Sequence, residues 1–262
     1  IFEDWPYDAQ LKSTMTDSCL LPVHFVIPAH NEAQSIRAVI QRVWTYFPNA
    51  HIAVINDCSR DETAAIAADA GATVINLPFN GGYGVALHTG LLWAQRREAP
   101  YVITQDADGQ HDPKEALKLV EPVASGIADV AIGSRYLPGA LQYKVPLSRR
   151  LGSWLLAKTL SLLMGKTITD STTGFQCLNA RALATYLALP NFPDKSPDAD
   201  MLLYAHRSGC RVLEVSTAMY ADEGTESMHG LIKSMFYMPK MFVSLLGMLL
   251  MRPPVVLAKD QR

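Results

Sequence analysis

Two carboxylates, Asp106 and Asp108, follow directly on a short apolar run at 101–104. At this spacing both side chains leave a strand end and aim into one crevice. Their hard oxygens, with open positions left over, suit Mg²⁺ or Mn²⁺ held jointly with phosphates. Gln110 adds a carbonyl oxygen to the same set. The plainer reading is an Asp- and Gly-rich turn in which each carboxylate caps a backbone N–H. Other polar groups end other apolar runs: Pro28-Ala29-His30-Asn31-Glu32, Asn56-Asp57 and Ser134-Arg135. Carboxylates gathered at one edge repel unless a cation or donors compensate, which favours the metal. Asp57 reads as an acceptor for a nucleoside base or ribose, or else as a turn aspartate. His30 and His111 lie near the same edge and read first as structural. Asn80-Gly81-Gly82-Tyr83-Gly84 invites a phosphate at a helix N-terminus, but it lacks the P-loop Lys and the G-x-G-x-x-G order. Turn chemistry is the better reading there.

Those residues need a scaffold, and the chain supplies an alternation. Strands are expected at 24–27 (closed by Pro28), 52–55, 73–75, 101–104 and 130–132. Between the first two, Ile36, Val39, Ile40, Val43, Trp44 and Phe47 form one helical stripe. Asn31 with Gln34, and Ser59 with Glu62, read as capping boxes. Gly71 ends the second helix. A third helix runs from the Gly-rich segment to about Arg97, and Asp112-Pro113 opens a fourth. Further on come a helix at 147–164, a polar turn at 170–174, a strand at 175–178, a helix at 199–208 ended by Gly209, and a strand at 211–215. Strands alternating with amphipathic helices predict an α/β fold with a mostly parallel sheet, its ligands at the carboxyl ends of the strands. The expected organisation is a leader at 1–21, one domain at 22–228 with halves at 22–135 and 136–228, and an apolar segment at 229–262.

Composition narrows the classes. The chain has 262 residues, 49% hydrophobic and 18% charged, which excludes a mainly disordered protein. A formal charge of −2 gives no basic excess for nucleic acid. Cys19, Cys58, Cys177 and Cys210 form no C-x-x-C pair, so neither zinc nor a disulfide framework is expected, but buried thiols in a reducing compartment. No signal peptide is apparent. The first residue is Ile rather than Met, read as a processed chain or a piece of a longer one. No unbroken apolar stretch reaches ~18 residues, so no clear membrane span is expected. The segment at 231–251 is apolar and Met-rich but broken by Lys233, Pro239 and Lys240. It reads either as an interfacial segment or as a helix packed on the core or on a second subunit.

Taken in order, Pro28-Ala29-His30-Asn31-Glu32, Asn56-Asp57-Cys58-Ser59-Arg60-Asp61-Glu62-Thr63, Asn80-Gly81-Gly82-Tyr83-Gly84 and Asp106-Ala107-Asp108-Gly109-Gln110-His111-Asp112-Pro113 resemble the motifs of family 2 inverting glycosyltransferases. The chain is most similar to the dolichyl- or polyprenyl-phosphate sugar transferase branch, over about 22–220. The resemblance implies a GT-A fold, a UDP- or GDP-sugar donor, Mg²⁺ or Mn²⁺, and a polyprenyl-phosphate or glycan acceptor. It implies a cytoplasmic enzyme, peripheral on the inner face of a membrane, and it allows an oligomer. By position, Pro28, Asn31 and Glu32 would border the nucleoside, Asp57 would hold the base, and Gly82 and Ala107 would lie along the donor. Asp106, Asp108 and Gln110 would hold metal and diphosphate. Ser134, Arg135, Arg149, Thr173 and Gly174 would face the acceptor. Asp200, with Asp198 second, is the candidate base for a sugar hydroxyl. A lipid phosphate is already an anion and would be held by Arg135 with Arg149 or Arg150. One departure concerns the end of the core, where the branch carries Gly-x-Ser-Lys and this chain reads Gly224-Thr225-Glu226-Ser227-Met228-His229. Rival classes are a haloacid-dehalogenase-like phosphohydrolase with Asp106 as nucleophile, a nucleotidyltransferase, and a silent nucleotide-sugar binding module.

Overall fold

The computed structural model describes residues 21–140, 147–190, 192–193, 198–219, 244–245 and 247–249, with side chains in the helix at 147–164 from residue 152 onward. The leader at 1–20, Cys19, the 224–229 departure, Lys233, Pro239, Lys240 and the side chains of Arg149 and Arg150 lie outside the described residues.

The strands are β1 (Val23–Ala29), β2 (His51–Asn56), β3 (Thr73–Asn76), β4 (Tyr101–Thr104), β5 (Val130–Ser134), β6 (Gln176–Asn179) and β7 (Val212–Ser216). The helices are α1 (Ile36–Tyr46), α2 (Thr63–Asp69), α3 (Tyr83–Arg96), α4 (Pro113–Ala124), α5 (Leu147–Met164), α6 (Ala180–Leu187) and α7 (Asp198–Arg207). The strands form one seven-stranded sheet in the order β3-β2-β1-β4-β6-β5-β7. Only β6 runs antiparallel to its neighbours, β4 and β5; the other pairs are parallel. An antiparallel strand begins where its parallel neighbours end. Gln176 pairs with Thr104 and Ile132, so the turn leading into β6 arrives at the same edge as the residues leaving β4 and β5.

Strand alternation feeds two apolar layers. Val26, Ile55, Val102 and Ile132 face α3, α5, α6 and α7. Phe25, Ile27, Val54 and Ile103 face α1 and α4. Ile36, Val39, Ile40, Val43 and Phe47 are buried as the stripe requires, whereas Trp44 is half-buried and donates from Nε1 to the Ala70 carbonyl.

Local chemistry corrects several expectations. Pro28 lies inside β1, opposite Ile55, rather than closing the strand. The Val26 carbonyl faces β4 and that of Ala29 faces β2, so alternation turns the Pro28 nitrogen toward β4. There the ladder has already ended at the Val26–Thr104 pair, and no N–H is needed. Neither expected capping box forms: the N-caps of α1 and α2 are Ser35 and Glu62, without side-chain caps. Asn31 (φ 58°) and Ser59 instead bond to each other's loops, Asn31 N to Ser59 Oγ and Arg60 N to Asn31 Oδ1. Asp112 does cap α4, accepting from Lys114 N with Pro113 at the first helical position. The short α6, unforeseen in the sequence, follows β6 without a loop and is capped by Asn179 accepting from Ala182 N. Among the described cysteines Cys177 and Cys210 are buried thiols, but Cys58 is exposed. No helix among the described residues is long and apolar enough to cross a membrane.

Candidate active site

A cavity of about 470 Å³ opens at the carboxyl ends of the strands. The end of β1 supplies Pro28, Ala29, His30 and Glu32, and Asp57 follows β2. The start of α3 supplies Tyr83 and Ala86, and the loop after β4 supplies Asp106, Ala107 and Asp108. Thr172 and Gly174 come from the turn before β6, and Asp198 is the first residue of α7.

Asp57 organises one wall. Its two carboxylate oxygens accept from Gly81 N at 2.7 Å and Gly82 N at 2.8 Å. The two donors that a phosphate cradle would use are thus already engaged. Gly82 itself takes φ 89°, a value a side chain resists, and caps α3. His30 Nδ1 donates to the Asp57 carbonyl at 2.7 Å, and its Nε2 is within reach of the Asn31 and Asn80 amides at 3.1 and 3.2 Å. Glu32 lines the cavity while its N–H donates to Thr63 Oγ1 and Oε2 accepts from Ser35 Oγ. Asn31 ties loops together and is absent from the cavity wall.

Asp106 forms the floor. Burial pushes its carboxyl up, and Tyr83 and the Arg135 charge pull it back. The Tyr83 hydroxyl is buried against Asp106 without closing a hydrogen bond of good geometry. Gly174 makes this approach possible: a Cβ there would stand 2.5 Å from the Tyr83 hydroxyl and 3.2 Å from Asp106 Oδ1. His111 Nε2 lies 3.8 Å from Asp106 Oδ2, its ring stacked on Phe175. Asp108 combines the two sequence readings, lining the cavity while Oδ1 accepts from Gln110 N at 2.9 Å. Gln110 contributes that backbone bond and does not line the cavity.

The residues expected to face an acceptor divide. Gly174 lines the wall, but Ser134 and Thr173 are buried in turn contacts, Ser134 Oγ with Thr169 Oγ1 and Thr173 Oγ1 with Phe175 N. Arg135 forks onto the fully buried Asp170, Nε to Oδ2 at 2.7 Å and Nη2 to Oδ1 at 2.8 Å, and reaches Thr172 Oγ1 at 3.0 Å. It therefore braces the turn rather than facing the cavity. The order of the two α7 aspartates reverses. Residues two apart on a helix point about 200° from each other. Asp198 faces the cavity; Asp200 is buried elsewhere, with Oδ2 accepting from Ser244 Oγ. Burial first, then Asp106 and Asp170, hold the Asp198 carboxyl up to about 7 against the pull of Arg135. Tyr83 and Thr172 were not among the sequence candidates. The Gly-rich segment pointed at the backbone around Tyr83 but gave no sign that its ring would reach Asp106.

Among the described residues the lining holds five carboxylates, Glu32, Asp57, Asp106, Asp108 and Asp198, and no Lys or Arg. An anionic ligand needs a cation to enter such a place. Among the described residues no three His, Cys, Asp or Glu side chains are gathered into a complete cage. The donor set fits a hard cation held by Asp106 and Asp108 and completed by the oxygens of a bound phosphate.

The sequence profile described as Glycosyl transferase family 2 matches residues 24–187. An undecaprenyl-phosphate mannosyltransferase of Micrococcus luteus is 30% identical over 209 residues, covering 77% of this chain and 85% of the relative. A polyprenol monophosphomannose synthase of Mycolicibacterium smegmatis is 35% identical over 165 residues, 60% of this chain and 62% of the relative. Among solved structures, Mycobacterium tuberculosis glucosyl-3-phosphoglycerate synthase with Mn²⁺, UDP-glucose and phosphoglyceric acid superposes with a TM-score of 0.71 at 18% identity, over 94% of this chain and 86% of that one. At that identity the likeness shows the fold alone, which is GT-A.

Proposed function

The chain belongs to glycosyltransferase family 2 and is a glycosyltransferase, and on that premise we propose that it moves a sugar, with inversion, from a UDP- or GDP-linked donor to a polyprenyl phosphate with the help of Mg²⁺ or Mn²⁺. One observation carries the reading: among the described residues, five carboxylates and no Lys or Arg line a cavity at the strand ends. It is supported by relatives named as an undecaprenyl-phosphate mannosyltransferase and a polyprenol monophosphomannose synthase. The nucleotide-sugar half is proposed as 22–135 and the acceptor half as 136–228, with the enzyme peripheral on the inner face of a membrane.

Inverting transfer is a single in-line displacement at the anomeric carbon. A divalent cation held by Asp106 and Asp108 would neutralise the leaving diphosphate. Pro28 and Glu32 border the nucleoside. Asp57 keeps the Gly81–Gly82 backbone in place, and the second lone pair on each of its oxygens remains able to accept from a base. Asp198 meets the incoming acceptor. A phosphate monoester is already a nucleophile, so no proton need be taken from it. Held up to about 7, Asp198 is only about half ionised at neutral pH, which limits repulsion of that anion. The Arg135–Asp170 fork fixes the turn carrying Thr172 and Gly174. If the acceptor were a sugar hydroxyl, Asp198 would be the base.

The test is calorimetric titration of UDP and GDP, with and without Mn²⁺, into wild type and Asp108→Ala. It is paired with turnover on a short-chain prenyl phosphate. Metal-dependent binding of one nucleotide, lost in the variant, fixes the donor. Absence of binding by both nucleotides would overturn the metal–diphosphate assignment.

A further inference from the structure

One face of α5 is composed wrongly for water. Trp154, Leu155 and Leu162 are 55%, 47% and 82% exposed. They are three of the seven large hydrophobic side chains exposed among the described residues. At 3.6 residues per turn, Trp154, Lys158, Leu162 and Leu155 share an arc of about 100°. The opposite arc, Leu156, Ala157, Leu160 and Met164, is buried in the core. A helix on a globular surface normally turns its polar face outward; here the outward arc is three apolar side chains around one exposed lysine.

Charge adds a second, independent observation. In the part of α5 whose side chains are described, 152–164, the single charged residue is Lys158, inside this arc and exposed, and the helix sequence holds no Asp or Glu, in a chain whose net charge is −2. Apolar and aromatic side chains with cations and no anions are what the headgroup–acyl boundary of an anionic bilayer selects. A second copy of the chain is a poorer occupant. Three side chains fall well short of the roughly 800 Å² per partner that a stable protein interface uses. Position adds a third observation. The chain leaving α5 runs directly into the turn whose Thr172 and Gly174 line the cavity. On its buried side α5 packs against α7, whose first residue, Asp198, is also in the cavity wall.

We infer that the Trp154–Leu155–Lys158–Leu162 face of α5 seats on an anionic lipid bilayer and brings the acceptor side of the cavity to a phosphate held at that surface. The inference rests on the lipid-phosphate reading above and adds the surface that would serve it.

The experiment is co-sedimentation of the full chain with phosphatidylcholine vesicles, with and without phosphatidylglycerol, for wild type, Lys158→Glu, and Trp154→Ser combined with Leu162→Ser. The substituted side chains are exposed, and unchanged nucleotide affinity serves as the check that the variants fold. Wild type is expected to sediment with the phosphatidylglycerol vesicles. The double variant should bind them about tenfold less well, the scale set by losing two interfacial side chains, and Lys158→Glu should lose the preference for the anionic lipid. Transfer to a long-chain polyprenyl phosphate embedded in vesicles should fall in parallel, while transfer to a short-chain, water-soluble prenyl phosphate stays unchanged. Wild type that ignores vesicles, or a double variant that binds them equally well, overturns the inference. So does a dimer in sedimentation velocity that the double variant abolishes. Failure of the wild type to use the short-chain acceptor would instead count against the functional reading, since vesicle binding is measured without turnover.

Discussion

Tyr83 and Asp198 are the side chains whose surroundings say most about the electrostatics of the cavity. The Tyr83 hydroxyl is sunk among Asp106, Asp108 and Asp198, and burial first, then Asp106, push its pKa well above the ordinary tyrosine range. It stays a neutral donor in a cluster of acceptors. Tyr83→Phe keeps the ring that packs on the core and deletes that donor. Metal-dependent nucleotide binding is expected to weaken about ten- to 150-fold, the worth of one hydrogen bond to a charged group, with thermal stability nearly unchanged. Calorimetry beside a melting curve checks both halves. Asp198 makes the opposite prediction. Its folded pKa of about 7 lies above the ordinary carboxylate value of 3.8, so between those limits the folded state binds more protons than the unfolded one. Stability therefore falls as pH rises through that window. Asp198→Asn should leave the ligand-free protein equally stable near pH 4 and more stable above neutrality, by roughly 1–3 kcal/mol after allowance for water in the cavity. Urea unfolding across pH tests it; a gain independent of pH would show that the ionised carboxyl is not what costs stability.

At the level of elements, the sequence was legible wherever one physical rule acted alone. The stripe through α1, the limits of α5, and the Asp112-Pro113 start of α4 are each written in spacing or in one local hydrogen bond. It was misleading where two loops compete for the same groups. Asn31 and Ser59 have the chemistry of helix caps, yet each is satisfied by the other's loop, because β1 and β2 run side by side and end together. The same limit separated Asp198 from Asp200: both are acidic and near a helix start, and only the helix phase against the sheet decides which one sees the cavity. In α6 the strand gives way to a helix of eight residues without a loop, so only the Asn179 cap marks the change. The seating of α3 is another relation invisible in one dimension. A Cβ at Gly90 would stand 2.2 Å from Val26 Cγ1 and 3.1 Å from Ile55 Cγ1, so this helix rests on β1 and β2 through a residue that must be small. Gly90→Ala should lower stability by about 1–3 kcal/mol, or roughly 2–10 °C in Tm for a chain of this size. Because α3 carries Tyr83 at its other end, nucleotide affinity should fall as well. A variant that melts like wild type would mean the helix can lift without cost.

For the whole molecule, the distribution of charge matters more than its sum. A net charge of −2 looks neutral, yet the fold gathers five carboxylates around one cavity with no Lys or Arg on its wall among the described residues. Arg135, a nearby cation, is committed to Asp170. Sheet topology causes this concentration. Parallel strands bring every polar strand end to one edge, and β6, entering antiparallel, adds the turn with Thr172 and Gly174 to it. Such an arrangement is unfavourable by itself, and on the proposed function a cation arriving with an anionic diphosphate would relieve it. Two separate effects would then act in the same direction: the carboxylates would lose their mutual repulsion, and the loops after β1, β2 and β4 would be bridged by one ligand. The nucleoside diphosphate alone should stabilise the protein little, since it adds negative charge to negative charge. Mn²⁺ alone should raise Tm slightly, having only Asp106 and Asp108 to hold it. The two together should exceed the sum of their separate shifts. With the nucleotide at a hundredfold over its Kd, linkage supplies about 2.7 kcal/mol, or roughly 5–10 °C for a chain of this size. The excess should vanish in Asp108→Ala and with a chelator present. A nucleotide shift of equal size without metal would mean that the carboxylates are balanced by groups other than a cation, and that the charge-based account of the cavity is wrong.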